Sequence, residues 1–408
     1  MSCVSVFNGS FCREDEFIIK LLEKTGYELV NDDMIVNRAA ALSALPVDRL
    51  KRAFSDRTSV FNPFTRERER SITWLKLALA EYLQKAELLL HGFAAHLVPR
   101  SIRHVLRICL IADKAHRIKV ASSQLRISET EAADRIEAED RRRVLWVQER
   151  TASPDPWDPA LYDLVLPTNK VDVRQAVTLV EQSLAAEALQ ASEVSRKASR
   201  DFLAAARIEA HLAGEGHVVE VIVKDDEAVL MIDRPVVMQE RLEKELKAAV
   251  QTVNDVAKIE VRTKPAVEQN PAYRKYDAQL PSKVLLVDDE REFVQTLSER
   301  LGMRDIGSAA AFDGESALAL VSEDEPEVML LDLRMPGIDG MEVLKRVKAE
   351  HPDIEVVILT GHGTEVDRKE CMAMGAFAYL EKPVDIDVLS DTLRRANEKM
   401  RKNAKKKP

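Results

Sequence analysis

Polar side chains that could do chemistry follow apolar runs at four places in the last third of the chain. The four places are Asp288 and Asp289 after Val284–Val287, Asp332 after Met329–Leu331, Thr360 after Val356–Leu359, and Lys382 after Ala378–Glu381. Three carboxylates in one pocket would repel one another, and a hard cation relieves that repulsion. Few protein ligands plus several waters favour Mg²⁺. The hydroxyl of Thr360 and the ammonium of Lys382 could bind an anion.

The elements that must position these groups can be inferred from the apolar pattern. Apolar runs without alternation are typical of parallel strands covered by helices on both faces, and Glu292–Met303 and Gly340–Ala349 between them have helical period. The pattern predicts a doubly wound α/β sheet, in which ligands bind beyond the carboxyl ends of the strands. The strand order 2-1-3-4-5 would make the first and third strands neighbours and bring Asp288, Asp289 and Asp332 together.

With these residues in place, 282–402 resembles the flavodoxin-like (βα)5 receiver domain of two-component response regulators. The resemblance implies that Asp332 is the phosphoacceptor and that Thr360 and Lys382 contact the phosphoryl group. It also implies Mg²⁺ held by Asp288, Asp289, Asp332 and the backbone carbonyl of Arg334, a cis Lys382–Pro383 peptide, and Tyr379 as an aromatic switch. A receiver catalyses its own aspartyl phosphorylation and dephosphorylation.

Each of these residues has an ordinary structural explanation when it is taken singly. A strand-end Asp is usually a turn or a cap, Lys-Pro is usually a loop, and a strand tyrosine such as Tyr379 is usually packing. Five elements in the right order and at domain-scale spacing favour the receiver.

The length, net charge and cysteine spacing of the whole chain restrict its possible domain number and functions. Its 408 residues predict two to four domains. The formal net charge of −9 argues against general nucleic-acid binding, and no helix-turn-helix with a basic face is apparent. The four cysteines lack paired metal-ligand spacing, and no transmembrane segment is expected, which predicts a cytoplasmic protein. Residues 403–408 are a basic tail.

The N-terminal segment begins as a strand, a glycine turn and a helix, an arrangement that can cradle phosphate. Residues 1–185 resemble the cytidylate-kinase-like branch of the P-loop nucleoside monophosphate kinases, an α/β fold. Carried over, Gly9 and Ser10 would cradle phosphate, Arg13 would stand in the lysine slot, and Arg143 would be a lid arginine. A bound nucleotide is therefore possible.

The phosphate loop of this segment departs from the family pattern. Phe11 and Cys12 stand where glycines are usual, and Asn31 stands where an acid is more usual. These departures argue against phosphoryl transfer more than against the predicted fold. Arg143, on a helix rich in acids, could also belong to a salt-bridged solvent face.

The middle of the chain predicts a connecting helix at 186–196 and then an α-β-β-α-β order over 197–264. That order resembles the BON module, an interaction element; a small α+β spacer is the alternative. The sequence of residues 265–281 predicts an extended linker.

The sequence thus predicts a multidomain α/β response regulator. A sensor histidine kinase would phosphorylate Asp332, and phosphorylation would change homo-association or the contacts of the N-terminal modules. The alternative is a nucleoside monophosphate kinase regulated by its receiver; whether the chain is a kinase enzyme is left open.

Overall fold

The computed structural model describes residues 2–151, 153–232, 239–253, 256–263, 280–304, 306–361 and 363–404. Residues 265–279 of the predicted 265–281 linker lie outside this part of the chain. Residues 405–408 of the basic tail also lie outside it. The chain forms two compact units, one of residues 1–57 and 68–270 and one of residues 58–67 and 271–408. No helix among the described residues is long and apolar enough to cross a bilayer.

The elements up to residue 184 alternate strands and helices. In chain order they are β1 (Cys3–Asn8), α1 (Glu14–Thr25), β2 (Glu28–Asn31), α2 (Asp32–Ser43), α3 (Val47–Lys51), α4 (Asn62–Thr65), α5 (Glu67–Tyr82), β3 (Leu88–His91), β4 (Val105–Ile111), α6 (Lys114–Leu125), α7 (Glu129–Gln148), β5 (Leu164–Pro167) and α8 (Val173–Leu184).

The first sheet has the order β2-β3-β1-β4-β5 with every pair parallel. Its central strand β1 is buried along its whole length. Because strand side chains alternate between faces, Cys3 and Phe7 join one apolar cluster, whereas Val4 and Val6 join the other. This two-faced burial confirms the predicted α/β class of the N-terminal segment.

The middle of the chain has α9 (Glu193–Gly214), β6 (Glu220–Lys224), β7 (Glu227–Ile232), α10 (Gln239–Gln251) and β8 (Lys258–Thr263). The predicted α-β-β-α-β order is present, with β6–β7 antiparallel and β7–β8 parallel. The hairpin turn forms without glycine. Asp225 and Asp226 adopt positive φ there (51° and 62°), a conformation that Asp tolerates better than most residues. Resemblance to the BON module stays a prediction.

Residues 186–196, predicted as a connecting helix, do not form one continuous helix. Residues 187–189 form only a 3₁₀ turn, and α9 begins at Glu193 because the Ser192 hydroxyl accepts a hydrogen bond from Ser195 N at 3.2 Å. Ser192 has an extended backbone conformation. It therefore caps the start of α9 and does not continue a helix from the residues before it. Phe202 of α9 lies in the same apolar cluster as the N-terminal sheet.

The second unit holds β9 (Val284–Val287), α11 (Arg291–Gly302), β10 (Ser308–Ala311), α12 (Gly314–Glu323), β11 (Val328–Leu331), α13 (Gly340–Glu350), β12 (Glu355–Thr360), α14 (Glu365–Ala373), β13 (Ala378–Glu381) and α15 (Ile386–Ala404). Its parallel sheet has the order β10-β9-β11-β12-β13. This is the predicted 2-1-3-4-5 order, and it confirms the flavodoxin-like doubly wound fold.

A short segment from far upstream, residues 58–67, completes the second unit. Phe61 is 1% exposed and lies in an apolar cluster of that unit. The Lys283 ammonium is 3.0 Å from Glu67 and 3.2 Å from Asp324, and the Ser59 hydroxyl is 2.5 Å from Asp324. The Phe61 ring is thus buried beside the paired Lys283. This packing removes both apolar and charged surface from water.

Candidate functional site

Parallel pairing brings the ends of β9 and β11 side by side in the second unit. Val287 is in register with Leu331, and Asp332 N donates to the Val287 carbonyl at 2.9 Å. The carboxyl groups that follow these two strands therefore meet at one edge of the sheet. Asp288, Asp289 and Asp332 each offer a carboxylate oxygen, and these oxygens all lie within 4.8 Å of one another.

Asp288 and Asp332 are only 4% and 6% exposed, while Asp289 is exposed. Backbone N–H groups fix the two buried carboxylates: Glu290 N donates to Asp288 Oδ1 at 3.0 Å, and Leu333 N donates to Asp332 Oδ1 at 2.7 Å. One oxygen of each carboxylate is thereby held by the backbone. The remaining oxygens are available to a cation.

Lys382 is the cation that the protein itself supplies to these carboxylates. Its ammonium lies 2.6 Å from Asp288 Oδ2, 3.4 Å from Asp332 Oδ2 and 3.2 Å from Glu290 Oε1. The Lys382–Pro383 peptide is cis, as the resemblance implied, and Lys382 N donates to the Thr360 carbonyl at 3.0 Å. The lysine therefore bridges the two buried acids.

Charge and burial compete in this cluster. Burial raises the pKa of Asp288 despite the hydrogen bond from Lys382. Burial alone would lower the pKa of Lys382, but the hydrogen bond to Asp288 and the charges of Asp288 and Asp332 outweigh it, and the pKa of Lys382 is raised. Lys382 is thus a fixed cation, and three acids against one lysine leave net negative charge to attract a metal ion.

Thr360 and Tyr379 lie on adjacent strands next to this cluster. Thr360 ends β12 and is 1% exposed, and β12 pairs with β13, which carries Tyr379. Tyr379 Oη is buried without a hydrogen-bond partner among the described residues. A Cβ added to Gly363 would lie 1.5 Å from Tyr379 Oη and 2.9 Å from Thr360 Cγ2, so the phenol oxygen lies close to the threonine methyl group.

Three positions near the acids were missed by the sequence reasoning. Glu290 pairs with Lys382, and the Phe293 ring lies 4.3 Å from the same ammonium. A Cβ on Gly340 would lie 2.1 Å from the Asp332 carbonyl oxygen, so this position requires glycine. The acid run up to Glu290 could have suggested the first contact, whereas Phe293 and Gly340 gave no chemical signal.

Several polar groups of the N-terminal loop from Asn8 to Glu14 bind other groups of the protein. Arg13 donates to Glu16 at 3.0 and 2.7 Å, and Phe11 N donates to Glu14 Oε1 at 3.2 Å. Arg143, 8% exposed, donates to the Asn8 carbonyl at 2.7 Å. The predicted lid arginine thus lies against the end of β1, inside the protein and not on a solvent face.

An unpredicted residue, Arg117 of α6, lies against the glycine turn. It donates to Ser10 O at 2.8 Å and Ser10 Oγ at 3.0 Å, and it pairs with Asp140 through both amino groups at 2.8 and 2.7 Å. A Cβ on Gly9 would lie 3.2 Å from its guanidinium carbon. The residues of this loop do not fit a nucleotide phosphate as they stand, because a carboxylate accepts from one loop N–H and a paired arginine lies against the turn.

Comparison with known proteins assigns two parts of the chain to families. Residues 284–394 match the response regulator receiver domain, and residues 15–170 match the cytidylate kinase-like family. The second match begins after Gly9, Ser10 and Arg13.

Individual relatives resemble the C-terminal part. Sporulation initiation phosphotransferase F of Bacillus subtilis is 36% identical over 114 residues, 28% of this chain and 91% of that protein. The C4-dicarboxylate transport transcriptional regulatory protein DctD of Pseudomonas aeruginosa is 38% identical over 123 residues, 30% of this chain and 26% of that protein. The transcriptional regulatory protein CpxR of Klebsiella pneumoniae is 42% identical over 102 residues, 25% of this chain and 43% of that protein. The chain therefore covers less than half of either transcriptional regulator.

Proposed function

Because this chain belongs to the two-component response-regulator family, we propose that Asp332 accepts a phosphoryl group from the phosphohistidine of a sensor histidine kinase. The observation that carries the proposal is the Lys382 ammonium between Asp288 and Asp332, beside two further acids and Thr360. Positioning and charge neutralisation supply most of the catalysis of phosphoryl transfer.

The chemistry assigned to Asp332 follows from its two oxygens. Oδ1 accepts hydrogen bonds from Leu333 N and Arg334 N at 2.7 and 3.4 Å, which leaves Oδ2, on the side of Lys382, to attack phosphorus. The new O–P bond forms as the P–N bond to the donor histidine breaks, and the departing imidazole nitrogen keeps the electron pair. Lys382 and the Thr360 hydroxyl would then contact the phosphoryl oxygens.

The acid cluster fits Mg²⁺ as its cofactor. Carboxylate oxygens within 4.8 Å of one another suit a small hard cation that keeps several waters. Asp288, Asp289, Asp332 and the Arg334 carbonyl would hold it. When bound, the ion neutralises charge on the transferring phosphoryl group.

Labelling with acetyl phosphate and Mg²⁺ tests the assignment. The full chain should gain one acid-labile phosphoryl group, and Asp332→Asn should remove it. Asp391→Asn is a matched control because Asp391 is an exposed acid of α15, 3.9 Å from Arg394. Equal labelling of the Asp332→Asn protein would refute the proposal.

We place the response to phosphorylation on the α14, β13 and α15 face. Thr360 adjoins Tyr379 of β13, so drawing the Thr360 hydroxyl towards Asp332 changes the packing around the phenol. Val366 and Met372 of α14 and Val388 of α15 are exposed apolar side chains, at 63%, 45% and 53%. Exposed apolar side chains favour association with a second surface, here a second copy of the chain.

Light scattering with and without beryllofluoride, a phosphoryl mimic, measures this response. The mass should rise with the mimic, and Val388→Asp should prevent the rise while leaving acetyl phosphate labelling intact. An unchanged mass across concentrations would reject homo-association as the output. Coupling energies of this kind are about 1–3 kcal/mol, so the concentration series must span about two orders of magnitude.

A further inference from the structure

A cavity of about 230 Å³ lies inside the N-terminal domain, away from the Asn8–Glu14 loop. Its lining includes the apolar side chains of Phe7, Val98, Ile108 and Leu161. It also includes His96, Tyr162 and three arginines, which are Arg100, Arg107 and Arg150. None of the described residues that line it is acidic, so the cavity combines apolar surface with several basic side chains.

The three guanidinium groups are held in place by the protein but retain donor capacity. Arg107 donates to the Val105 and Pro99 carbonyls at 3.2 and 2.8 Å, and Arg100 donates to the Ala160 carbonyl at 2.8 Å. Each guanidinium carries five N–H donors, and these bonds use one or two of them. The carbonyls therefore orient Arg100 and Arg107 without neutralising their charge.

Arg150 lies flat against the indole of Trp146, with 3.3 Å between its guanidinium carbon and the ring centroid. Its Nη1 donates to the Trp146 carbonyl and to Glu149 at 2.8 and 3.0 Å. Its Nε is buried and has no hydrogen-bond partner in the described part of the chain. Glu149 also pairs with Arg68 at 2.6 Å, so this acid is shared between two arginines.

His96 adds an acceptor to this group of donors. Tyr162 Oη donates to the Pro156 carbonyl at 2.5 Å and lies 3.2 Å from His96 Nε2. Because the phenol proton is used, His96 donates from Nε2 to the phenol oxygen, and its Nδ1 is left as an acceptor. Nδ1 is buried, and the described residues offer it no partner. Burial, with help from the three arginines, lowers the pKa of His96 to about 3, which agrees with a neutral ring.

We propose that this cavity binds a small oxyanion that also carries an O–H group. Arginine forks match carboxylate and phosphate oxygens, and a buried acceptor such as Nδ1 is satisfied by a hydroxyl proton. Monoprotonated phosphate and short 2-hydroxy carboxylates share this chemistry. The ligand would offset part of the arginine charge and occupy the cavity of about 230 Å³.

Fluorescence titration of the full chain tests the proposal. All three tryptophans of the protein, Trp74, Trp146 and Trp157, lie before residue 270, so the signal reports the N-terminal unit and not the receiver. The probes are inorganic phosphate against sulfate, and lactate against propionate. Within each pair only the first carries the O–H group. Saturable binding of phosphate or lactate, about tenfold tighter than of its partner, is the expected result.

Arg100→Gln and Arg150→Gln should each weaken that binding about tenfold or more, as expected for lost charged hydrogen bonds. Arg103→Gln is the matched control, since this exposed arginine is near in sequence but does not line the cavity, and it should leave the affinity unchanged. Phosphate binding that persists in both cavity variants would overturn the proposal. So would the absence of saturation with all four probes, or sulfate and propionate binding as tightly as their partners. If phosphate and lactate differ, the tighter one identifies the oxyanion.

Discussion

Replacing Lys382 by methionine removes the basic side chain that contacts both Asp288 and Asp332. At an effective dielectric constant of about 20, an ion pair at 2.6 Å is worth about 6 kcal/mol and one at 3.4 Å about 5 kcal/mol before desolvation. Burying the ammonium offsets much of this attraction. Loss of one partner from a buried pair typically costs about 3–5 kcal/mol, and we expect the free energy of unfolding of the receiver to fall by that amount.

Denaturant unfolding followed by two probes isolates this change. The receiver has no tryptophan, so circular dichroism reports both units, whereas tryptophan fluorescence reports only the N-terminal one. Lys382→Met should shift the dichroism transition in metal-free buffer and leave the fluorescence transition in place. Added Mg²⁺ should reduce the difference from the unsubstituted protein, because the ion neutralises the same carboxylates.

Lys369→Met is the control, since Lys369 is an exposed lysine of α14 and its loss should change stability by less than about 0.5 kcal/mol. The reasoning would be refuted if both substitutions had the same small effect, or if Mg²⁺ left the cost of Lys382→Met unchanged.

Three further changes have defined outcomes. Gly340→Ala, whose Cβ would lie 2.1 Å from the Asp332 carbonyl oxygen, should destabilise the receiver by about 1–3 kcal/mol and slow acetyl phosphate labelling; labelling at the original rate would contradict this. Phe61→Ala should cost the same unit about 3–5 kcal/mol, whereas Val60→Ala, at a 42% exposed side chain, should cost little. Burial and then nearby arginines lower the folded-state pKa of His96 to about 3, below about 6.5 in the unfolded chain. Its contribution to stability is therefore complete above about pH 6.5 and is lost as the pH falls towards 3; His96→Gln should flatten the fluorescence-detected stability curve between about pH 6.5 and 4, and an unchanged slope would refute this.

Local sequence predicted the sheet of the receiver and the functional groups at its edge. Short apolar runs that each end in a polar residue predict parallel strands with their functional groups at one edge, and the observed strand order put Asp288 and Asp332 there. This works because side-chain alternation along a strand is a local property, and helices between successive strands make those strands parallel. Helix starts are equally local: Ser128 and Glu131, three residues apart, form a capping box at the start of α7.

Contacts between distant residues could be decided only by the tertiary structure. Arg117 and Asp140 lie at the glycine turn, and three arginines from separate elements meet at one cavity, with nothing in their spacing to indicate either arrangement. Residues 58–67 belong to the receiver unit although more than 200 residues separate them from it in the sequence. A periodic pattern shows which face of an element is buried, but the partner of that face depends on how the elements pack, and packing is a property of the folded chain.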